Sequence, residues 1–367
     1  MMKRVLLIAM TIFTIGSTGV AAPKAGVIKI GALFHLTGEW APQGNAFLEG
    51  AQLAVAEVNG RGGVAGKQID LIVEDTKYIP SVTHSASKKL LGTDRIDVAL
   101  VTCLTETRVA APLFGQQHVP LITLWDSAPE LEQLGRYSFA IGTWAPSSGE
   151  VAAKYAASTL KAKTAVVLNS NTGWSLSVST PFITAFESLG GVVLNTITSN
   201  PKEHDYRSIL LRVKKLKPDV IYAPVDGNLV PFYLQAKQLQ ITVPIISSDV
   251  IGAEHIANAT NAFEGIYQTQ SADPHTPEAK QVLEIYKKRF DKEAAFPLFT
   301  AWGWDGVMLI ADAVEAGART SEEITEALYE VRNYQGASGP ISINAFGSSR
   351  MEVNMFQVRK GRFVRAD

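Results

Sequence analysis

The chain has 367 residues, 46% hydrophobic and 19% charged, which is enough apolar material for one large core or two medium ones. Its 34 basic and 35 acidic residues leave a net charge of −1, so no overall field favours nucleic acid or an anionic membrane surface. The single cysteine, Cys103, excludes an internal disulfide, and its thiol reads as a small buried hydrophobe rather than a nucleophile.

In chain order, Met1, Met2, Lys3 and Arg4 precede the uncharged run Val5 to Ile15, which gives way to Gly16, Ser17, Thr18 and Gly19. That is the pattern of a secretory signal peptide over 1–21, with Gly19 and Ala21 suiting a cut after Ala21. The apolar run is shorter than the ~20 residues that span a bilayer, and no cysteine stands at the cut for lipid attachment. The mature chain is therefore expected to be a soluble exported protein.

From Val27 a strand (VIKIGALF) is followed by a helix carrying Leu48, Ala51, Val55 and Val58 on one face, then by the strand IDLIVED and a helix through His84 to Leu91. DVALV, VPLITL, TAVVLN, GVVLNTIT, DVIYAPV and VPIISS continue as β-branched runs, most of them separated by stretches of helical spacing. Thr276 followed by Pro277 marks a helix start, as does Asp205 before Tyr206 to Leu216. Alternating strand and helix predicts an α/β fold with parallel sheets covered by helices on both faces.

In such sheets ligands bind beyond the carboxyl ends of strands. The rule selects Phe34 to Gln43, Thr102 to Thr107, Trp125 to Pro129, Asn169 to Ser175, Val225 to Asn228 and Asp249 to Ile251, all rich in Thr, Ser, Asp and Trp. Catalytic and cofactor patterns fail in context. Gly60 to Ala65 loosely fits a dinucleotide fingerprint, but a helix precedes it and a strand follows, the reverse of what phosphate binding needs. No Walker A, HExxH or GxSxG sequence occurs, and the six histidines lack ligand spacing. The SxxK matches at Ser85 and Ser158 lack their companion motifs. No cofactor, metal site or catalytic residue is expected.

The runs TGEWAPQG, EGAQLAVAEVNGRGGVAGKQIDLIVEDT, VPLIT with the later APEL, NTGW, DYRSILLRVKKLKPDVIY and Gly339-Pro340-Ile341, in this order, resemble the leucine/isoleucine/valine-binding proteins, the type I periplasmic binding fold. The resemblance implies two doubly wound lobes joined by three crossings near Thr143, Ser271 and Gly339. Lobe 1 would take residues 22–143 and 271–339, and lobe 2 residues 144–270 and 340–367. It further implies a monomeric periplasmic receptor that closes over a small molecule, an amino acid or a related carboxylate or amide, and delivers it to the membrane permease of an ABC importer. A sensor on the same fold, or a secreted α/β hydrolase, is the alternative.

Carried over residue by residue, Thr105 and Trp125 to Ser127 would hold the ligand carboxylate, and Asp249, with Asp226 as a second candidate, would meet its ammonium group. Trp40, Trp125 and Trp174 fall in strand-end loops and would wall the cleft. Thr105 would also cap the helix after it, Glu106 and Arg108 would face solvent, His35 would either line the cleft or be a structural histidine, and Trp302 and Trp304 would pack in the core.

Overall fold

The run at Val27–Phe34 forms a strand that is buried over most of its length because it lies inside a sheet, between Gln68–Asp75 and Val98–Val101. The computed structural model describes residues 26–271 and 275–366, so the expected signal peptide lies outside the described residues. The first sheet runs Gln68–Asp75, Val27–Phe34, Val98–Val101, Leu121–Thr123, Ser138–Ala140, all parallel. Each strand ends on the same edge, which is why the loops chosen from the sequence gather on one side.

The second sheet has seven strands. Val192–Ser199, Thr164–Ser170, Val220–Tyr222, Ile245–Ser247 and Tyr267–Gln270 are parallel in that spatial order, as the alternation predicts. Asn354–Arg359 and Arg362–Arg365 then add antiparallel, so the sheet is mixed rather than purely parallel. The turn between these last two strands is local: Lys360 and Gly361 both have positive φ, the two-residue turn that reverses a hairpin.

Helix starts follow their sequence signals. Thr276 Oγ1 accepts from Ala279 N at 3.2 Å, ahead of helix Pro277–Phe290. Gly62 and Gly63, both at positive φ, turn the chain out of helix Ala41–Gly60, the structural role expected of that glycine run. Trp302 is fully buried and Trp304 nearly so, both in the first core as expected.

The chain passes between the two sheets after Thr143–Trp144, after Gln270 and before Asn354. Asp126–Ser127 pairs in parallel with Thr143–Trp144, and the Thr143 and Ser271 hydroxyls meet at 2.8 Å, tying two crossings together. Asp305, buried, fixes the chain at 337–338 within the first core: it accepts from Ala337 N, Ser338 N and Ser338 Oγ at 2.9, 2.7 and 2.6 Å. Beyond it Ile341 and Ile343 belong to the first core, and Ser349 N donates to Ala140 O at 2.8 Å. The chain enters the second sheet at Asn354.

The helix Ala41–Gly60 packs along Pro297–Glu315 at backbone contact distance. A Cβ on Gly50 would lie 2.0 Å from Thr300 O, and one on Gly303 would lie 2.1 Å from Phe47 O. Backbone oxygens cannot swing aside, so a methyl at either position must part the helices. Gly303→Ala is expected to destabilise the protein by about 2–3 kcal/mol, read from urea unfolding.

Candidate functional site

The loops at the strand ends of the two sheets face one another across a small cavity of about 20 Å³, room for one or two waters. Trp40, Tyr78, Cys103, Trp125 and Asp126 come from the first lobe, and Trp174, Asp226 and Val250 from the second. Four of the seven ligand-site candidates read from the sequence, Trp40, Trp125, Trp174 and Asp226, therefore line one cavity, two from each side.

Each is fixed locally. Trp40 precedes the first turn of helix Ala41–Gly60, with Pro42 in that turn. Trp174 sits in the first turn of helix Gly173–Ser188, where Thr172 accepts from Ser175 N, and Ser175 Oγ donates to Pro224 O at 2.7 Å. Asp226 is held by its backbone: its N–H donates to Ser170 Oγ at 2.9 Å, and Gly227 at φ +96° turns the chain away.

Asp126 is the centre of the first-lobe side. Its Oδ1 accepts from Leu104 N at 2.7 Å, so it, rather than Thr105, serves the start of helix Leu104–Gln116. Thr105 instead lies one residue into that helix, its hydroxyl 3.3 Å from Tyr78 OH. Ser127 is fully buried, and its Oγ and Trp125 Nε1 have no hydrogen-bond partner among the described residues. Asp249 lies beside the cavity residue Val250. Ser248 Oγ donates to its Oδ1 at 3.1 Å, while Oδ2 has no partner.

A second, larger pocket of about 110 Å³ opens on the other side of that segment. It is apolar, with Val282, Leu283, Phe296 and Phe299 facing Ile251, and Asp249 is its one carboxylate. The smaller cavity is the better candidate for a polar head group because its aromatic, carboxylate and thiol groups converge from both lobes.

Burial dominates the electrostatics. It pushes the Asp126 carboxyl from 3.8 up to about 7, with the Asp249 charge adding to the rise and the Leu104 N–H opposing it. It pushes Asp226 up to about 6, with Thr172 opposing and the Glu39 charge adding. Asp249 also rises to about 6 through burial, against the pull of Thr143 and Ser248. Tyr78 is raised well above its ordinary value for the same reason.

The expectation for Glu106 needs correction. Glu106 is not a solvated helix residue: it is 1% exposed and bonded to Thr76, Thr102 and His35 beneath the cavity. Its carboxyl lies below the ordinary range: burial opposes ionisation, but His35 and the threonine hydroxyls outweigh it. His35 is fully buried against Glu106 and Thr102, the structural alternative for that residue. His35, Cys103 and Glu106 have donor atoms within 4.8 Å of one another, a metal-like grouping, but internal hydrogen bonds already engage both Glu106 oxygens. Arg108 is half exposed and paired with Glu130 at 2.5 Å.

Sequence reasoning missed Tyr78 and Asp126. Tyr78 lies just beyond the end of the strand Gln68–Asp75. There Lys77 and Tyr78 both adopt positive φ, and Asp75 Oδ1 accepts from Lys77 N at 2.9 Å. Asp126 stands inside a chosen loop but was passed over between two donors.

The chain matches the family described as periplasmic binding protein over residues 27–362. It is 28% identical to the Leu/Ile/Val-binding protein BraC3 of Rhizobium johnstonii, across 98% of this chain and 100% of that protein. The branched-chain amino acid transporter substrate binding protein LivJ of Streptococcus pneumoniae, solved with isoleucine, is similar at a TM-score of 0.85 and 26% identity, covering 92% of this chain and 97% of that one. A solute binding protein of an ABC transporter from Rhodopseudomonas palustris BisB5, solved with 3,4-dihydroxybenzoic acid, shares the fold at a TM-score of 0.83 and 21% identity, covering 92% and 95%.

Because Asp126 binds its proton more tightly folded than unfolded, its contribution to stability is fully present below about pH 4 and is lost as pH rises through 7. Asp126→Asn keeps an oxygen for Leu104 N and removes the titration. Relative to the unsubstituted protein, its unfolding free energy is expected to be level near pH 4 and higher by about 2–4 kcal/mol at pH 8, measured by urea unfolding at both values.

Proposed function

The chain belongs to the periplasmic binding protein family, and from that premise we propose that it is the ligand-binding component of an ABC importer that traps an amino acid or a related small carboxylate or amide between its lobes. The observation that carries this reading is the cavity walled from both sides: Trp40, Tyr78, Trp125 and Asp126 on one lobe, Trp174 and Asp226 on the other. Such a site exists only when the lobes meet, so ligand affinity and closure are one free energy.

In this reading Ser127 Oγ and Trp125 Nε1, both unpartnered donors, offer hydrogen bonds to a ligand oxygen, with Thr105 at the rim. Asp226 and Asp249 face the nitrogen end. The ligand leaves unchanged, passed to a membrane permease by a monomeric receptor that is exported to the periplasm on a signal peptide cut near Ala21. The crossings near Thr143 and Ser271 are the hinge, joined through their hydroxyl pair. We place the third crossing at 350–353, past Gly339, because Ile341 and Ile343 still pack with the first core.

The interlobe contact is tight on the flank as well. A Cβ on Gly252, whose φ of −101° suits any residue, would lie 2.1 Å from the ring of Phe296. Gly252→Ala therefore wedges the closed form while leaving each lobe's fold intact.

A thermal-shift screen across amino acids, aromatic acids, amides and urea, followed by small-angle scattering of each hit, tests the proposal. We expect at least one solute to raise the melting temperature and reduce the radius of gyration, and Gly252→Ala to weaken its binding about tenfold or more. If no solute compacts the protein, or if one is chemically converted, the reading is wrong.

A further inference from the structure

The crossings between the lobes are fastened to one another outside the cleft. Thr143 reaches the second crossing through its hydroxyl, 2.8 Å from Ser271 Oγ. Its neighbour Trp144 reaches the third: the Arg350 guanidinium lies over the Trp144 ring, 4.6 Å from its centroid. The ring is buried and the arginine side chain half exposed. A cation over an indole face is held by the quadrupole of the ring, and more firmly where water is kept from it.

Arg350 has a second partner in the first lobe. Its Nη2 lies 3.5 Å from Glu132 Oε1, and the same oxygen accepts from Asn344 Nδ2 at 3.0 Å. Glu132 belongs to the short turn Leu131–Gln133, which follows the cleft strand Asp126–Ser127. One side chain therefore holds a first-lobe carboxylate and the residue immediately before helix Ala145–Ser158 of the second lobe.

That place also backs the cleft. Asp126 pairs with Thr143 and Ser127 with Trp144, so the strand carrying two cleft residues is laid against the two residues that the other crossings grip. A rotation that parts the lobes carries the start of the helix away from Glu132. Arg350 cannot then keep both partners, since a ring holds a cation only within about 6 Å of its centroid.

Resting on the solute-binding reading above, we propose that Arg350 is a positioning residue for ligand binding: joined to Trp144 and Glu132, it clamps the third crossing to the first in the closed arrangement and so sets ligand affinity without touching the ligand. Every solute that the cleft takes gains the same factor, because the clamp stabilises the closed form rather than one ligand contact. Its loss shows in escape rather than in capture, since the clamp forms only once the lobes have met.

L-isoleucine, L-leucine and 3,4-dihydroxybenzoate are titrated by calorimetry into the mature chain and its variants, and stopped-flow tryptophan fluorescence gives the rates. Arg350→Ala is expected to weaken each solute that binds by one common factor, about threefold to tenfold, through faster dissociation at an unchanged association rate. Arg350→Lys, which keeps a cation for both partners, should recover most of that loss, and ligand-free melting of both variants should match the unsubstituted protein. Labels at Lys88→Cys and Lys215→Cys, exposed on helices of the two lobes, follow closure by single-molecule energy transfer. In the absence of any solute Arg350→Ala should lower the closed fraction. The clamp is overturned if Arg350→Ala binds like the unsubstituted protein, if its loss falls on association, or if the solutes lose different factors. It is equally overturned if Arg350→Lys is as weak as the alanine variant, or if ligand-free melting falls with affinity. If no solute binds either protein, the solute-binding reading fails and the closed fraction alone decides the clamp: a lower fraction in Arg350→Ala upholds it, and an equal one overturns it.

Discussion

Three carboxyl groups, Asp126, Asp226 and Asp249, are buried where the lobes meet, and no lysine or arginine lines the cavity between them. Charged groups removed from water need a partner of opposite sign or a proton. Here the proton is the partner the protein itself can offer, which is why burial drives all three upward and why the Asp126 and Asp249 charges disfavour one another. In the proposed reading the ligand's ammonium group takes that place when the lobes close over it.

The rest of the molecule serves that closure by being stiff where the cleft must be positioned and polar where it must move. Helices Ala41–Gly60 and Pro297–Glu315 touch through glycines, so the loop carrying Trp40 is anchored to a rigid pair. Two of the crossings meet through a hydrogen bond instead, Thr143 with Ser271. Hydroxyl pairs of this kind can re-form after a small rotation, which interlocked apolar side chains cannot do without leaving gaps. Thr143 also opposes the upward shift of Asp249, so hinge and cleft share a residue.

Much of this was legible in the chain. The alternation of strand and helix and the rule that ligands gather at strand ends led to Trp40, Trp125, Trp174 and Asp226 without coordinates, because strand ends are fixed by local pattern. What local pattern does not encode is which of two neighbouring faces ends up inside. Glu106 looked like an ordinary helical acid, yet its partners Thr76, Thr102 and His35 come from loops that meet only in the folded sheet. Asp126 was hidden for a related reason: its value to the site comes from Asp226 and Asp249, 100 and 123 positions further along the chain. The C-terminal hairpin is the opposite case, since its Lys360-Gly361 turn is local and could have been read.

Proton exchange on binding tests the central claim most directly. If a ligand's ammonium group replaces protons on the cleft acids, binding of an amino acid that compacts the protein, measured by calorimetry at pH 6.5 in several buffers of different ionisation enthalpy, will release on the order of one proton per ligand bound. Binding with no proton released, or with proton uptake, would contradict it.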